Sequence, residues 1–392
     1  MFDIPPQPWA DSRRDGEEET VVASVPADRP RRRAMPKVFG RAVMPKAEVR
    51  LRKIHRTGAL RLTRVEDVIL LPGNTVLDPR QSRLLPQTFL RRGMKQHGQL
   101  FQNAEAGTYS LRPHDEWAAP RVEDRALFLA DTDYPDTYGH WLVDTMPMLW
   151  ALRHAPADIL VATSIAPTPN ILAMFDALGV PASRLVHITG PTLAREVYVP
   201  DVALHRRQWM HSEAEAIFAR LARLGDQSKI ARHDRIYVSR SRVAKRRMVN
   251  EKRVEKLFAA AGFFILHPQE HPIADQVALF AHAKMIAGAG GSAMHNIVFA
   301  PPATPVLIIC SESWRSNADI VLCPQPGRLA YVFGEILNQR KLGPRSDEKW
   351  QVNLDLVRMA VEKHLGARRS PASKLVVRIK RLLRRIIRPL RK

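Results

Sequence analysis

At 392 residues the chain is too long for one ordinary hydrophobic core, so two domains with flanking tails are expected. An apolar content of 45% is ample for globular packing, and two cysteines, Cys310 and Cys323, exclude a disulfide framework. Their sparseness fits a reducing compartment, no CxxC spacing suggests zinc, and the formal net charge of +22 matters through its distribution.

Residues 1–45 are rich in proline and charge, with acids at Glu17–Glu19 and arginines at Arg31–Arg33. They lack apolar periodicity and are expected to be a disordered tail. Met1–Asp15 has no charged start followed by an apolar run, so no secretory signal is expected. From Val49 to Gln102, runs such as Asp67–Gly73 and Thr88–Leu90 read as strands at a domain edge. Ala126–Ala130 reads as a buried strand, and Tyr138–Leu152 as a helix divided at Pro147. A strand at Ile159–Ala162 and a helix at Ile171–Leu178 follow, then strands at Arg184–Ile188 and Arg195–Val199. His211–Leu224 is an amphipathic helix with Ala214, Ile217, Phe218, Leu221 and Leu224 on one face. Polar Gly225–Arg232 reads as the linker. These elements make an α/β domain over residues 46–228.

A second α/β domain, residues 229–345, alternates strands with helices of about a dozen residues, the pattern of a parallel, doubly wound sheet. Asn250 suits a helix N-cap, Gly262 ends that helix, and Pro272 and Asp275 suit the first turn of the next. Met285–Ser311 carries no formal charge, but its glycines and prolines make it buried sheet and turn rather than a membrane span. Leu354–His364 is a late helix that could return toward the first domain, within a closing helix and linker at 346–373. Lys374–Lys392 has nine Lys/Arg, no acid, and aliphatic residues three and four apart. As a helix it has one aliphatic and one cationic face, which fits an anionic membrane surface better than a solvated tail or a nucleic-acid patch.

Doubly wound sheets bind ligands beyond the carboxyl ends of their strands. Two turns at such ends suit a phosphate. Ser239–Arg247 (SRSRVAKRR) places Arg240, Arg242 and Lys245 directly after a strand, and guanidinium groups donate paired hydrogen bonds to phosphate. Gly288, Gly290 and Gly291 allow a tight turn before Ser292, where a helix can begin. In the first domain His140 and Asp144 are four apart on one helical face, a pairing suited to a general base or to orienting an acceptor. Asp131-Thr132-Asp133 is a DxD sequence that could hold a divalent cation against a nucleotide diphosphate.

Three stretches in this order resemble glycosyltransferase family 61, which includes bacterial capsular polysaccharide biosynthesis proteins: Tyr138–Trp150, Ile236–Glu251, and Gln276 through GAGGSAMHNIVFAPP. The likeness covers roughly residues 120–310. It implies a GT-B architecture of two Rossmann-like domains facing a cleft, and inverting transfer from a UDP-sugar without an essential metal or other cofactor. It also implies that Arg240 contacts the diphosphate and that Gly288–Ser292 and Asn296 form the donor wall; Ser239, Arg242 and Lys245 of the basic loop are expected to bind the donor beside them. His140 and Asp144 would line the acceptor side, with either as the base. Many members have histidine where this chain has Gly290. The expectation is a peripheral enzyme on the inner face of the cytoplasmic membrane, glycosylating a surface polysaccharide or its lipid-linked precursor. The alternatives are a metal-dependent GT-A transferase using Asp131 and Asp133, and a basic nucleic-acid-binding protein.

Overall fold

The computed structural model describes residues 20–32, 34–41, 54–88, 99–103, 108–111, 121–206, 208–338 and 348–366. The expected membrane-surface helix, Lys374–Lys392, lies outside the described residues. The chain forms two compact units: one from the described residues of Met1–Arg32 and Leu51–Leu224, the other from those of Arg33–Arg50 and Gly225–Lys392.

The first unit is built on a nine-stranded mixed sheet. In chain order its strands are β1 (Thr20–Val25), β2 (Leu60–Leu71), β3 (Thr75–Asp78), β4 (Arg83–Leu84), β5 (Arg121–Glu123), β6 (Leu127–Leu129), β7 (Leu160–Thr163), β8 (Leu185–His187) and β9 (Thr192–Pro200). The order β8-β7-β6-β9-β2-β3-β4 puts a parallel half, β8 to β9, beside an antiparallel half. Leu127, Leu129, Ala162, Val197 and Val199 pack with Val65, Val68 and Leu70 in one buried cluster that spans both halves. Helices α1 (Pro169–Ala177) and α2 (Ser212–Ala222) follow in sequence, α2 burying Ala214, Ile217, Phe218 and Leu221 as its periodicity predicts. His211 caps α2, its Nδ1 accepting the Glu213 amide at 3.1 Å.

The second unit carries the doubly wound sheet. Its parallel strands are β10 (Arg235–Val238), β11 (Phe264–Leu266), β12 (Met285–Ala289), β13 (Val306–Ser311) and β14 (Leu329–Ile336). Helices α3 (Glu251–Ala260), α4 (Ile273–His282) and α5 (Asn317–Leu322) connect them, with a 3-10 helix at Ser292–Phe299. The spatial order is β11-β10-β12-β13-β14, so the first strand lies between the second and third. All six residues of β13 are buried, as expected for a strand covered on both faces. Helix α3 buries Val254 and Phe258, each contributing on the order of 1.5–3 kcal/mol. It ends at Gly262, whose φ of +81° is the left-handed conformation that favours glycine after a helix.

Several expectations are corrected. The tail expected to be disordered contributes β1, antiparallel to β2, and Lys37–Phe39, which pairs in parallel with β14. Val21, Val22 and Val38 are exposed, so backbone pairing at a sheet edge holds these strands, with Phe39 also packed against the core of the second unit. Thr88 is a turn residue, its hydroxyl donating to the Leu85 carbonyl at 3.0 Å. Asn250 precedes α3 without capping it; its amide bonds Val352 on both main-chain groups instead. Pro272 stands one residue before α4 rather than within it. The late helix, α6 (Leu354–Ala360) with Val361–Leu365, packs Val357, Ala360, Val361 and Leu365 into the core of the second unit. The expected linker is also ordered: Ser228 Oγ donates to Asp275 Oδ1 at 2.6 Å.

Candidate active site

In the first unit, the loop after β6 and the helix that follows place polar side chains together. The helix is α-helical at Tyr138–His140, π-helical at Trp141–Thr145 and 3-10 from Met146 to His154. A single π turn inside a helix is a frequent mark of a functional site. Asp144 Oδ2 accepts from Thr132 Oγ1 at 3.1 Å and lies 3.2 Å from His140 Nδ1. Its other oxygen, Oδ1, is 2.6 Å from Arg206 Nε. Arg206 Nη1 approaches His140 Nε2 at 3.5 Å, and the Tyr134 ring sits 4.2 Å from the imidazole. Both oxygens of Asp144 are therefore engaged, and with Nδ1–H donated to Asp144, His140 Nε2 carries the lone pair.

The first carboxylate of the DxD pair is engaged by protein groups. Asp131 Oδ2 accepts the Asn74 amide at 3.0 Å and Oδ1 accepts Ser164 Oγ at 2.8 Å. It ties β7 to the β2–β3 turn, where Gly73 and Asn74 both have positive φ. Burial raises the Asp131 pKa against these hydrogen bonds. Asp133 is likewise buried. From this loop Thr132 reaches the pair through its bond to Asp144, and Tyr134 through its ring against His140.

In the second unit, Ser239 and Arg240 leave the carboxyl end of β10, and Gly290 to Ser292 leave that of β12. These strands are neighbours, Val238 opposite Gly288, and the strand order reverses between them. That reversal is the switch point at which doubly wound sheets bind ligands. The Arg240 guanidinium lies on Gly291: a Cβ there would stand 2.9 Å from Cζ. Only glycine allows this approach. Arg240 Nη2 donates to the Lys245 carbonyl at 3.1 Å; burial lowers the pKa of Arg240, opposed by the charge of Glu251.

The other predicted donor residues have different partners. Ser239 Oγ donates to Glu255 Oε1 at 2.6 Å, so it braces the loop. Arg242 is ion-paired with Glu270 on the surface. Lys245 meets Arg240 through its carbonyl, with its side chain exposed. Asn296 is fully buried and donates to Gln276 Oε1 at 3.1 Å, joining the 3-10 helix to α4. Gly288 is a packing glycine, since a Cβ would fall 2.5 Å from Met294 Sδ and 2.9 Å from the Val238 carbonyl oxygen. Ser292 opens the 3-10 helix, with Gly291 before it.

Gly290 is filled against as well. A Cβ would lie 2.5 Å from Cys310 Sγ and 3.1 Å from the Trp314 ring, whose face carries Arg246 at 4.1 Å. Gly290→His is therefore expected to lower stability by roughly 1–3 kcal/mol, as overpacking does, measured by chemical denaturation. His295, the nearest histidine, instead faces Ser316 Oγ at 3.3 Å and Asp319 at 3.6 Å. Burial pushes the Asp319 carboxyl up to about 7.

Sequence reasoning missed Arg206, Thr132 and Tyr134, which no motif links to His140. It also missed Glu255, and took Glu251 only as part of a motif. Glu251 Oε1 accepts the Arg240 amide at 2.6 Å, while Glu255 Oε1 accepts Ser239 and Ser241 hydroxyls at 2.6 and 2.7 Å. Acids in the first turns of a helix look like dipole partners until the fold turns them under a loop.

Comparison with curated proteins found no match. Residues 138–307 match the family model described as Glycosyltransferase 61, a span that includes His140, Asp144, Arg206, Arg240, Glu251 and Gly291. Over this region the chain is similar to glycosyltransferase family 61.

Proposed function

We propose that this protein is an inverting glycosyltransferase that moves a sugar from a UDP-sugar to a saccharide acceptor, a surface polysaccharide or its lipid-linked precursor. The observation that carries this reading is Arg240 lying on Gly291 at the switch point of a doubly wound sheet. A fixed guanidinium beside a helix amino end suits a diphosphate leaving group. The reading assigns donor binding to the second unit and acceptor activation to the first, the division of labour of a GT-B enzyme.

In this mechanism His140 Nε2 takes the proton of the acceptor hydroxyl, and Asp144 holds the imidazole by accepting Nδ1–H. The acceptor oxygen attacks the anomeric carbon as the bond to the diphosphate oxygen breaks. The electron pair leaves with UDP, whose added charge is met by Arg240 and the first amides of the Ser292–Phe299 helix. One displacement inverts the anomeric centre. No step requires a metal, and the engagement of Asp131 by Asn74 and Ser164 disfavours a metal-dependent route through it.

No helix among the described residues is long and apolar enough to cross a membrane. We assign membrane contact to Lys374–Lys392, as a peripheral anchor on the anionic cytoplasmic face; deleting it should move the protein out of the membrane fraction. The test of the whole reading is a binding and turnover screen of UDP-, GDP- and CMP-sugars, with and without EDTA. Binding of a UDP-sugar that survives chelation is expected. Absence of binding and turnover with every nucleotide sugar would overturn it.

A further inference from the structure

Arg240 stays where it is because of what lies beneath it. The loop Ser239–Ser241 crosses the start of α3, and two carboxylates one helical turn apart accept its polar groups. Glu251, buried, accepts the Arg240 amide at 2.6 Å and the Tyr237 hydroxyl at 3.4 Å on Oε1, which also lies 3.3 Å from Ser239 Oγ. Glu255 Oε1 takes the Ser239 and Ser241 hydroxyls at 2.6 and 2.7 Å. A carboxylate accepting a backbone N–H makes a charge-assisted bond, stronger than a neutral one. It fixes the peptide from which the Arg240 side chain departs toward Gly291.

We propose that Glu251 is a positioning residue for donor binding: its ionised carboxylate holds the Arg240 peptide so that the guanidinium lies on Gly291, and Glu255 tunes when that hold is made. This rests on the reading of Arg240 as the diphosphate ligand. The charged and titratable groups facing Glu251 are Glu255 on its own helix, Arg240 on the loop above, and Tyr237 on β10. His267, after β11, is 4.0 Å from Glu255. Burial raises the Glu251 carboxyl to about 7, with Glu255 pushing the same way and the Arg240 amide opposing.

Two consequences have opposite signs. A native pKa raised from 4.5 to about 7 means the folded state keeps a proton that the unfolded chain loses, so stability declines as pH rises through that window. Donor affinity rises over the upper part of the same window as the hold forms. Ionisation of Glu251 thus trades stability for a placed cation.

The experiment measures the Kd of UDP-glucose from pH 5.5 to 8.5 by calorimetry on the full chain. The diphosphate diester of this probe does not titrate in that range. Wild type is expected to lose about tenfold in affinity per pH unit below a midpoint near 7, the slope of one coupled proton. Glu251→Gln should flatten that limb. Glu255→Gln, which removes the neighbouring charge, should move it down by about one pH unit. A limb that persists unchanged in Glu251→Gln overturns the inference, and so does an unshifted limb in Glu255→Gln. If Glu251→Gln fails to fold, the Glu255→Gln shift decides alone.

A second readout needs no ligand: the pH dependence of the Arg240 amide chemical shift, expected to titrate near pH 7 in wild type. Should UDP-glucose fail to bind at every pH while this amide titrates, the donor assignment is wrong and the carboxylate hold stands. An amide shift that is flat with pH removes the hold itself.

Discussion

Arg240→Ala is expected to lower kcat/KM for the UDP-sugar by about 10²–10³-fold, the effect of deleting one preorganised donor to a developing anion. The guanidinium has one hydrogen-bond acceptor among the described residues, the Lys245 carbonyl, so most of its donors remain for a ligand. The loss should be larger than Arg242→Ala gives, because Arg242 is surface-exposed and paired with Glu270. Gly291→Ala provides the complementary test. It removes no charge, yet its methyl would stand 2.9 Å from the Arg240 Cζ and displace the group. Both variants should weaken UDP-sugar binding, measured directly by calorimetry alongside steady-state rates. Wild-type kcat/KM in Arg240→Ala would remove the donor assignment.

His140→Ala and Asp144→Asn should each lower kcat by about 10²–10⁴-fold, the range for loss of general-base catalysis, while leaving the donor Kd near wild type. The two substitutions act differently. His140→Ala deletes the lone pair at Nε2, whereas Asp144→Asn keeps the shape and removes the negative acceptor for Nδ1–H. The asparagine also lacks the negative charge that pairs with Arg206, whose Nε is 2.6 Å from Asp144 Oδ1. Arg206 then has a choice of partners, and His140 loses its preferred tautomer. Single-turnover rates with saturating donor separate this from a binding defect. A large rise in donor Kd with unchanged kcat would place His140 and Asp144 outside the acceptor chemistry.

Both sites were partly legible from local pattern. His140 and Asp144 are four apart, and helical spacing alone brings them together across the π turn. Arg240 and Gly291 were each identified as the end of a strand followed by a turn, because apolar runs ending in charge or glycine mark the carboxyl edge of a parallel sheet. Ser239 and Asn296 have polar side chains at the expected places, yet each is engaged by a protein partner, Glu255 and Gln276. Composition cannot tell a hydroxyl or amide awaiting a ligand from one already satisfied.

The order of apolar runs, glycines and charges was sufficient for two α/β units and the parallel sheet of the second, and three motifs for the likeness to the family model over residues 138–307. Those features depend on short-range periodicity and on motifs read along the chain. Tertiary structure decided which side chains share a site: Arg206 with Asp144, 62 positions apart, and Glu251 beneath the Arg240 amide. It also made Asp131 a brace for the β2–β3 turn, and paired tail segments with exposed sheet edges. Hydrogen bonds to backbone and contacts between distant loops leave no periodic trace, since any residue supplies the amide and the chain's return path supplies the distance.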